Sequence, residues 1–204
     1  LVEATQNAGS FAQMSATMKR AAVQISKICN DLRWMSSGPR CGLNEINLPP
    51  MQPGSSIIPG KVNPVIPELV NQLCYQIIGY DAVVSMAAEA SELELCMAEP
   101  IIAYDLLHGM LILKNGCITL TSRCIVGIEA NRDVCRQYVE NSIGLVTALV
   151  PVLGYEKSAA IAKEALKTGG SVYELVLEKG WLKKDELDEM LKPENMTDPR
   201  EIPQ

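Results

Sequence analysis

The chain has 204 residues, 48% of them hydrophobic and 21% charged, with a formal net charge of -6. That charge excludes a global attraction to nucleic acid or to an anionic membrane surface, while leaving room for a local positive patch that holds a small anion. Aromatics make up only 4%, so aliphatic side chains and Met must fill the core, which favours packed helices over a β-sandwich.

In chain order, the first pattern is helical. Phe11, Met14, Met18, Ala21, Ile25, Ile28 and Leu32 recur at spacings of three and four. Ser36-Ser37-Gly38-Pro39 stops it. The chain opens at Leu1 inside a helical pattern, with no initiator Met and no N-cap, and is expected to be part of a longer protein. A loop-rich segment then runs to Pro64, where Pro49-Pro50, Pro53, Pro59 and Pro64 exclude regular helix.

A second helix is expected from Asn63-Pro64 to about Glu99, roughly 50 Å at 1.5 Å per residue. Its seam is Val70, Leu73, Ile77, Tyr80, Val84 and Ala87. A third starts at Pro100, with Leu106, Met110, Leu113, Cys117, Leu120 and Cys124 as its seam. Both carry a second apolar face, such as Cys74 and Ile78 or Leu107, Leu111 and Ile118. Helices of this length with two apolar faces predict a bundle completed by other subunits; a self-contained bundle is the alternative.

After Asn141-Ser142 short helices replace long ones. Glu156–Lys167 precedes Gly169-Gly170, Ser171 and Glu174 form an S-x-x-E capping pattern, Gly180 stops that helix, and Lys184–Leu191 forms the last. The expected organisation is all-α: a long-helix bundle over 1–140 and a small helical domain over 141–204. No signal-peptide pattern and no uninterrupted apolar run of membrane-spanning length is visible.

Seven cysteines, an odd number without a C-x-x-C pair, read as reduced thiols of a cytoplasmic protein, most at apolar helical positions. The only histidine, His108, stands among apolar residues and reads as structural rather than metal-ligating.

The stretch Gly54-Ser55-Ser56-Ile57-Ile58-Pro59-Gly60-Lys61-Val62-Asn63-Pro64 carries the chemistry. Ser55 and Ser56 offer hydroxyls, and flanking glycines let backbone N–H groups approach a ligand. Lys61 is a point cation, Asn63 an amide donor, and Glu68 falls in the first turn of the next helix. The set suits binding a small polyanion and stabilising charge that develops on it. A proline-rich connection with a solvated lysine has the same composition. The spacing is not that of a P-loop.

This stretch resembles the G-S-S-x-M-P-x-K-x-N-P signature of the fumarase/aspartase superfamily, with Ile58 where Met is usual. Ser37-Gly38-Pro39-Arg40-Cys41-Gly42-Leu43-Asn44-Glu45, Asn141-Ser142-Ile143-Gly144 and Leu191-Lys192-Pro193-Glu194-Asn195-Met196 resemble it too. Asn63-Pro64-Val65-Ile66-Pro67-Glu68 and Met97-Ala98-Glu99-Pro100 are more similar to the aspartate ammonia-lyases than to the fumarases.

The resemblance implies elimination from a dicarboxylate through an aci-carboxylate carbanion, without a metal or redox cofactor. By similarity Ser55 is the general base, Ser56 holds the aci-carboxylate, and Lys61 and Asn63 bind the other carboxylate. Glu68 either orients a histidine from a region upstream of Leu1 or favours the helix N-terminus. Arg40 reads as a loop anchor rather than a substrate ligand. The family's sites are assembled from three subunits of a homotetramer, so this chain is expected to carry one segment of three and to be inactive alone.

Overall fold

In the computed structural model, residues 1–52, 57–58, 60–192 and 195–196 are described. The chain divides into two compact units, Leu1–Asn131 and Arg132–Gln204.

The first unit is built on three long antiparallel helices. A short α1 (Val2–Gln6) precedes α2 (Gly9–Met35), followed by α3 (Val65–Glu89) and α4 (Glu99–Leu120). A π-helical turn over Thr121–Ile125 continues α4. α3 lies between α2 and α4 and packs on both. Pro67 falls in the first turn of α3, where a missing N–H costs nothing, and Pro100 does the same in α4. Two short strands, β1 (Ile46–Asn47) and β2 (Glu129–Ala130), pair antiparallel, Ile46 with Ala130 and Asn47 with Glu129. They tie the segment after α2 to the segment after α4.

The α2 seam differs from the expected one. The buried side chains are Ser15, Met18, Ala22, Ser26, Cys29 and Leu32, while Phe11, Met14 and Ile28 are exposed. Beside Met18 and Leu32 the inward face carries small residues, and at Ser15 and Ser26 side chains bond across to α3. Asn71 Nδ2 donates to Ser26 Oγ at 2.8 Å and to the Ser26 carbonyl at 3.0 Å. Ser15 Oγ donates to Asp81 Oδ1 at 2.9 Å, and Lys19 Nζ lies 2.5 Å from Asp81 Oδ2. Four of the six expected seam residues of α3 (Val70, Ile77, Val84 and Ala87) are buried, as are Leu106, Leu120 and Cys124 of the third seam.

The second helix is shorter than expected. It ends at Glu89, and Ala90–Ala98 folds as a connection in which Glu92 and Leu95 exchange backbone bonds at 2.9 Å each way. Leu93 adopts φ 41° there, a left-handed conformation that helical periodicity cannot reveal. The segment Glu99–Ile125 is long and apolar enough, by length and composition, to cross a membrane, with a mean hydropathy of 1.3 in its most apolar window. Here it packs on α3, with Ile102 and Leu106 buried, and comes close to α2 at Gly109, where an added Cβ would lie 2.9 Å from Met18 Cε. Its opposite face leaves Leu107, Leu111 and Ile118 exposed.

All seven thiols are free. Cys29, Cys74, Cys96 and Cys124 are buried, and Cys41 is exposed. Burial, with the neighbouring thiols adding to it, pushes the Cys29 thiol up to about 12 and that of Cys74 up to about 11, so both stay protonated and unreactive at neutral pH. His108 is structural at the α3–α4 joint: its Nδ1 lies 2.8 Å from Tyr80 Oη and its ring stacks on Tyr104 at 5.5 Å.

The second unit contains α5 (Arg132–Glu140), a 3-10 turn over Ile143–Leu145, α6 (Val146–Leu153), α7 (Tyr155–Thr168), α8 (Val172–Glu178) and α9 (Lys184–Met190). Leu145, Leu149, Ile161, Ala165, Val172, Leu175, Val176 and Leu187 form its core. Ser142 caps the 3-10 turn by accepting from Gly144 N–H at 3.1 Å. Ser171 caps α8 by accepting from Tyr173 N–H at 3.2 Å, the second helical residue, where the expected capping box calls for the third, Glu174. In α9 the Lys183 N–H donates to Glu186 Oε2 at 3.1 Å.

Asp105 is buried in α4 with one carboxylate oxygen unpartnered among the described residues. Burial raises its pKa, and nearby His108 opposes the rise. The folded state therefore binds this proton more tightly than the unfolded chain, and stability falls as pH rises from the ordinary Asp value through the raised one. Asp105→Asn is expected to raise the thermal midpoint at pH 7 and to flatten its dependence on pH over that window. An unchanged or lowered midpoint at pH 7 would contradict the burial argument.

Candidate functional site

The first unit opens into a cavity of about 570 Å³. Its walls come from three places: the last turn of α2, the segment after it, and the run from Gly60 into the first turn of α3. Lys61, Asn63 and Glu68 all line it. Ser55 and Ser56 lie outside the described residues.

The wall after α2 is built by tight local bonds. Ser36 Oγ donates to the Leu32 carbonyl at 2.7 Å and Ser37 Oγ to the Trp34 carbonyl at 2.5 Å, each a second bond to a carbonyl that also accepts a backbone N–H at the helix end. The chain then folds back. Asn44 N–H donates to the Ser37 carbonyl at 2.7 Å and Leu43 N–H to Ser37 Oγ at 3.0 Å. Gly42 makes the fold-back possible, since a Cβ there would lie 2.5 Å from the Ser37 carbonyl. Asn44 stands at φ 50°, a conformation asparagine tolerates better than most residues.

A second clamp fixes the wall from behind. Asn131, just after β2, donates through Nδ2 to the Asn44 carbonyl at 2.8 Å, and accepts from Asn47 Nδ2 at 2.7 Å. Asn44 and Asn47 both face the cavity. On the other side, Asn63 turns the chain into α3, with its carbonyl accepting from Val65 N–H at 2.8 Å. Asn63 and Glu68 are half-buried, and Lys61 is exposed.

Charge and amide donors thus converge on one space. Lys61 makes no ion pair among the described residues, so its ammonium is available to an anion. The amides of Asn44, Asn47 and Asn63 supply donors and acceptors at the same wall. Arg40 is exposed and does not line the cavity. Sequence reading missed Asn30, Arg33 and Trp34, which do line it. The signal was present: Asn30, Arg33 and Ser37 follow one another at spacings of three and four, one polar face running off the end of a helix. Among the described residues no cluster of three His, Cys, Asp or Glu side chains is placed to hold a metal ion.

Two family models match the chain: a lyase model over residues 1–79 and the C-terminal model of fumarase C over residues 145–198. The chain belongs to the fumarase/aspartase superfamily. An aspartate ammonia-lyase of Helicobacter pylori is 60% identical over 199 residues, 98% of this chain and 42% of that protein. One from Pseudomonas fluorescens is 55% identical over 203 residues, all of this chain and 42% of that protein. Among solved structures, a fumarate lyase:delta crystallin of Brucella melitensis bound to cobalt superposes with a TM-score of 0.91 at 54% identity, covering 98% of this chain and 43% of that one. A class II fumarase of Schistosoma mansoni gives 0.88 at 36% identity, covering 96% and 41%. The chain therefore spans less than half the length of these relatives, and the helical fold expected from its periodicity is the fold of this superfamily.

Lys61→Met in the full-length protein is expected to weaken binding of succinate, a simple dicarboxylate probe, by about tenfold or more, the range for losing a charge-assisted contact. Isothermal titration reads this directly. Unchanged affinity would show that Lys61 is a solvated cation.

Proposed function

We propose that the full-length protein is an aspartate ammonia-lyase, converting L-aspartate to fumarate and ammonia, and that this chain contributes one segment of its active site. The observation that carries the reading is the convergence of Lys61, Asn63 and Glu68 on one cavity, directly after the Ser55-Ser56 pair in sequence. Identity of 60% to an aspartate ammonia-lyase, against 36% to a class II fumarase, favours ammonia over water as the group expelled. Hydration of fumarate to malate is the second reading, because the two reactions share the dicarboxylate and the carbanion.

In this scheme Ser55, as its alkoxide, takes a proton from the carbon beside one carboxylate. The electron pair moves into that carboxyl group as an aci-carboxylate bearing two negative charges. Ser56 and backbone N–H groups hold that charge, while Lys61 and Asn63 grip the other carboxylate. The pair then returns to form the C=C bond, and the C–N bond breaks with its electrons leaving on ammonia. A serine is a weak base unless its alkoxide is stabilised, so nearby cations and the positive end of α3 are part of the mechanism. Glu68, in the first turn of α3, supports the site either by orienting a partner histidine or through the helix end.

The assembly is read as a homotetramer with sites shared between subunits. Two exposed apolar stripes support this, one on α2 at Phe11, Met14 and Ile28, the other on α4 at Leu107, Leu111 and Ile118. A cytoplasmic location, with neither nucleic acid nor membrane as partner, is in keeping with the free thiols and net charge of -6.

The test is absorbance at the fumarate band, with L-aspartate and separately with L-malate. Full-length protein is expected to produce fumarate from aspartate only, Ser55→Ala to lose at least a hundredfold in rate, and the 204-residue chain alone to produce none. A rise with malate only would make the protein a fumarase. Full activity of Ser55→Ala would remove the serine base.

A further inference from the structure

The cavity holds a second cation to which neither the loop nor the reaction scheme gives a role. Arg33 stands on the last turn of α2, is exposed, and lines the same space as Lys61, Asn63 and Glu68. Among the described residues it forms no ion pair. Its backbone is held firmly: Cys29 and Leu32 on the same turn are buried, and Ser36 Oγ reaches the Arg33 carbonyl at 3.3 Å. Arg33 and Lys61 therefore enter the cavity from different elements, one from a packed helix and one from the segment that leads into α3.

Counting charges narrows the ligand. Two cations and the Glu68 carboxylate give the cavity's charged side chains a formal sum of +1. L-Aspartate carries two carboxylates and one ammonium at neutral pH, and this segment of the site offers one cation for each carboxylate. A ligand with a single carboxylate satisfies only one of the cations. Arginine presents a rigid planar fork that clamps a carboxylate bidentately, whereas lysine offers a point charge that follows its partner.

We propose that Arg33 is the second carboxylate-binding cation of this site and sets its selectivity for dicarboxylates over monocarboxylates. The proposal rests on the aspartate reading above. A solvated arginine favoured by the negative end of α2 occupies the same position, but it gives no selectivity between ligands.

The experiment uses full-length protein as wild type, R33M and R33K, with succinate and propionate as probes and L-aspartate as substrate. R33M is expected to weaken succinate by tenfold or more and to raise KM for L-aspartate by a similar factor. Propionate can turn to the remaining cation, so it should weaken by less than about threefold. R33K keeps the charge but loses the fork, and should fall between R33M and wild type. A merely structural arginine would weaken both probes alike; that result, or unchanged succinate affinity, overturns the proposal. If R33M does not fold, R33K decides: a succinate-to-propionate ratio equal to wild type overturns the proposal, and a ratio lowered about threefold or more supports it. Wild type that neither binds succinate nor releases fumarate from L-aspartate overturns the aspartate reading and this proposal together. Active wild type with unmoved R33M overturns the role of Arg33 alone.

Discussion

The site depends on how α2 is registered against α3. One wall of the cavity leaves the end of α2, and the opposite wall enters the start of α3. A slip of one residue between these helices would rotate Arg33 and Glu68 away from each other's side of the cavity. Apolar packing alone specifies the register less sharply where α2 presents small residues, Ala22 and Cys29, between the larger Met18 and Leu32. The polar pairs forbid the slip. Asn71 reaches Ser26 in the half of the interface nearer the cavity, and Asp81 reaches both Ser15 and Lys19 in the far half. Each is buried on at least one side, so a slipped register would strand a polar group without a partner, at a cost of roughly 1–3 kcal/mol per group.

Much of this was readable in the residues. Spacing placed the three long helices and the stop at Ser36-Ser37-Gly38-Pro39, and the composition of residues 54–64 singled out Lys61 and Asn63, which line the cavity. The errors share a cause. Assigning Phe11, Met14 and Ile28 to the α2 seam treats large apolar residues as inward by default, yet beside the expected Met18 and Leu32 the inner face is made of Ser15, Ala22, Ser26 and Cys29. Close helix approach selects for small size and hydrogen-bonding capacity, and hydropathy alone does not register either. The large residues face outward, where another surface can cover them. Carrying the second helix on to Glu99 failed similarly: Ala90–Ala98 has helix-compatible composition, and its turn is set by a paired backbone at Glu92 and Leu95.

The site was legible only in part. Lys61, Asn63 and Glu68 were found because they lie within a few residues of one another, and the structure brings them to one cavity. Arg33 lies more than twenty residues upstream and reaches the same space only through the antiparallel return of the chain. Arg40, nearer in sequence and read as a loop anchor, does not line the cavity. Asn44 and Asn47 reach the wall through Asn131, more than eighty residues away, by hydrogen bonds at 2.8 and 2.7 Å. No local pattern encodes such a clamp; tertiary closure through the β1–β2 pair creates it.

The most direct test of the register argument replaces Ser26 and Asn71 together by apolar residues, Ser26→Ala with Asn71→Leu, in the full-length protein. Removing both partners at once leaves no stranded polar group, so folding stability should change little. The measurement is succinate affinity by isothermal titration, alongside the thermal midpoint. The account predicts a midpoint close to wild type with succinate binding weakened about tenfold, because the helices keep their packing and lose the bond that fixes their alignment. Succinate affinity equal to wild type at an equal midpoint would contradict it, and would show that apolar packing alone sets the geometry of the cavity.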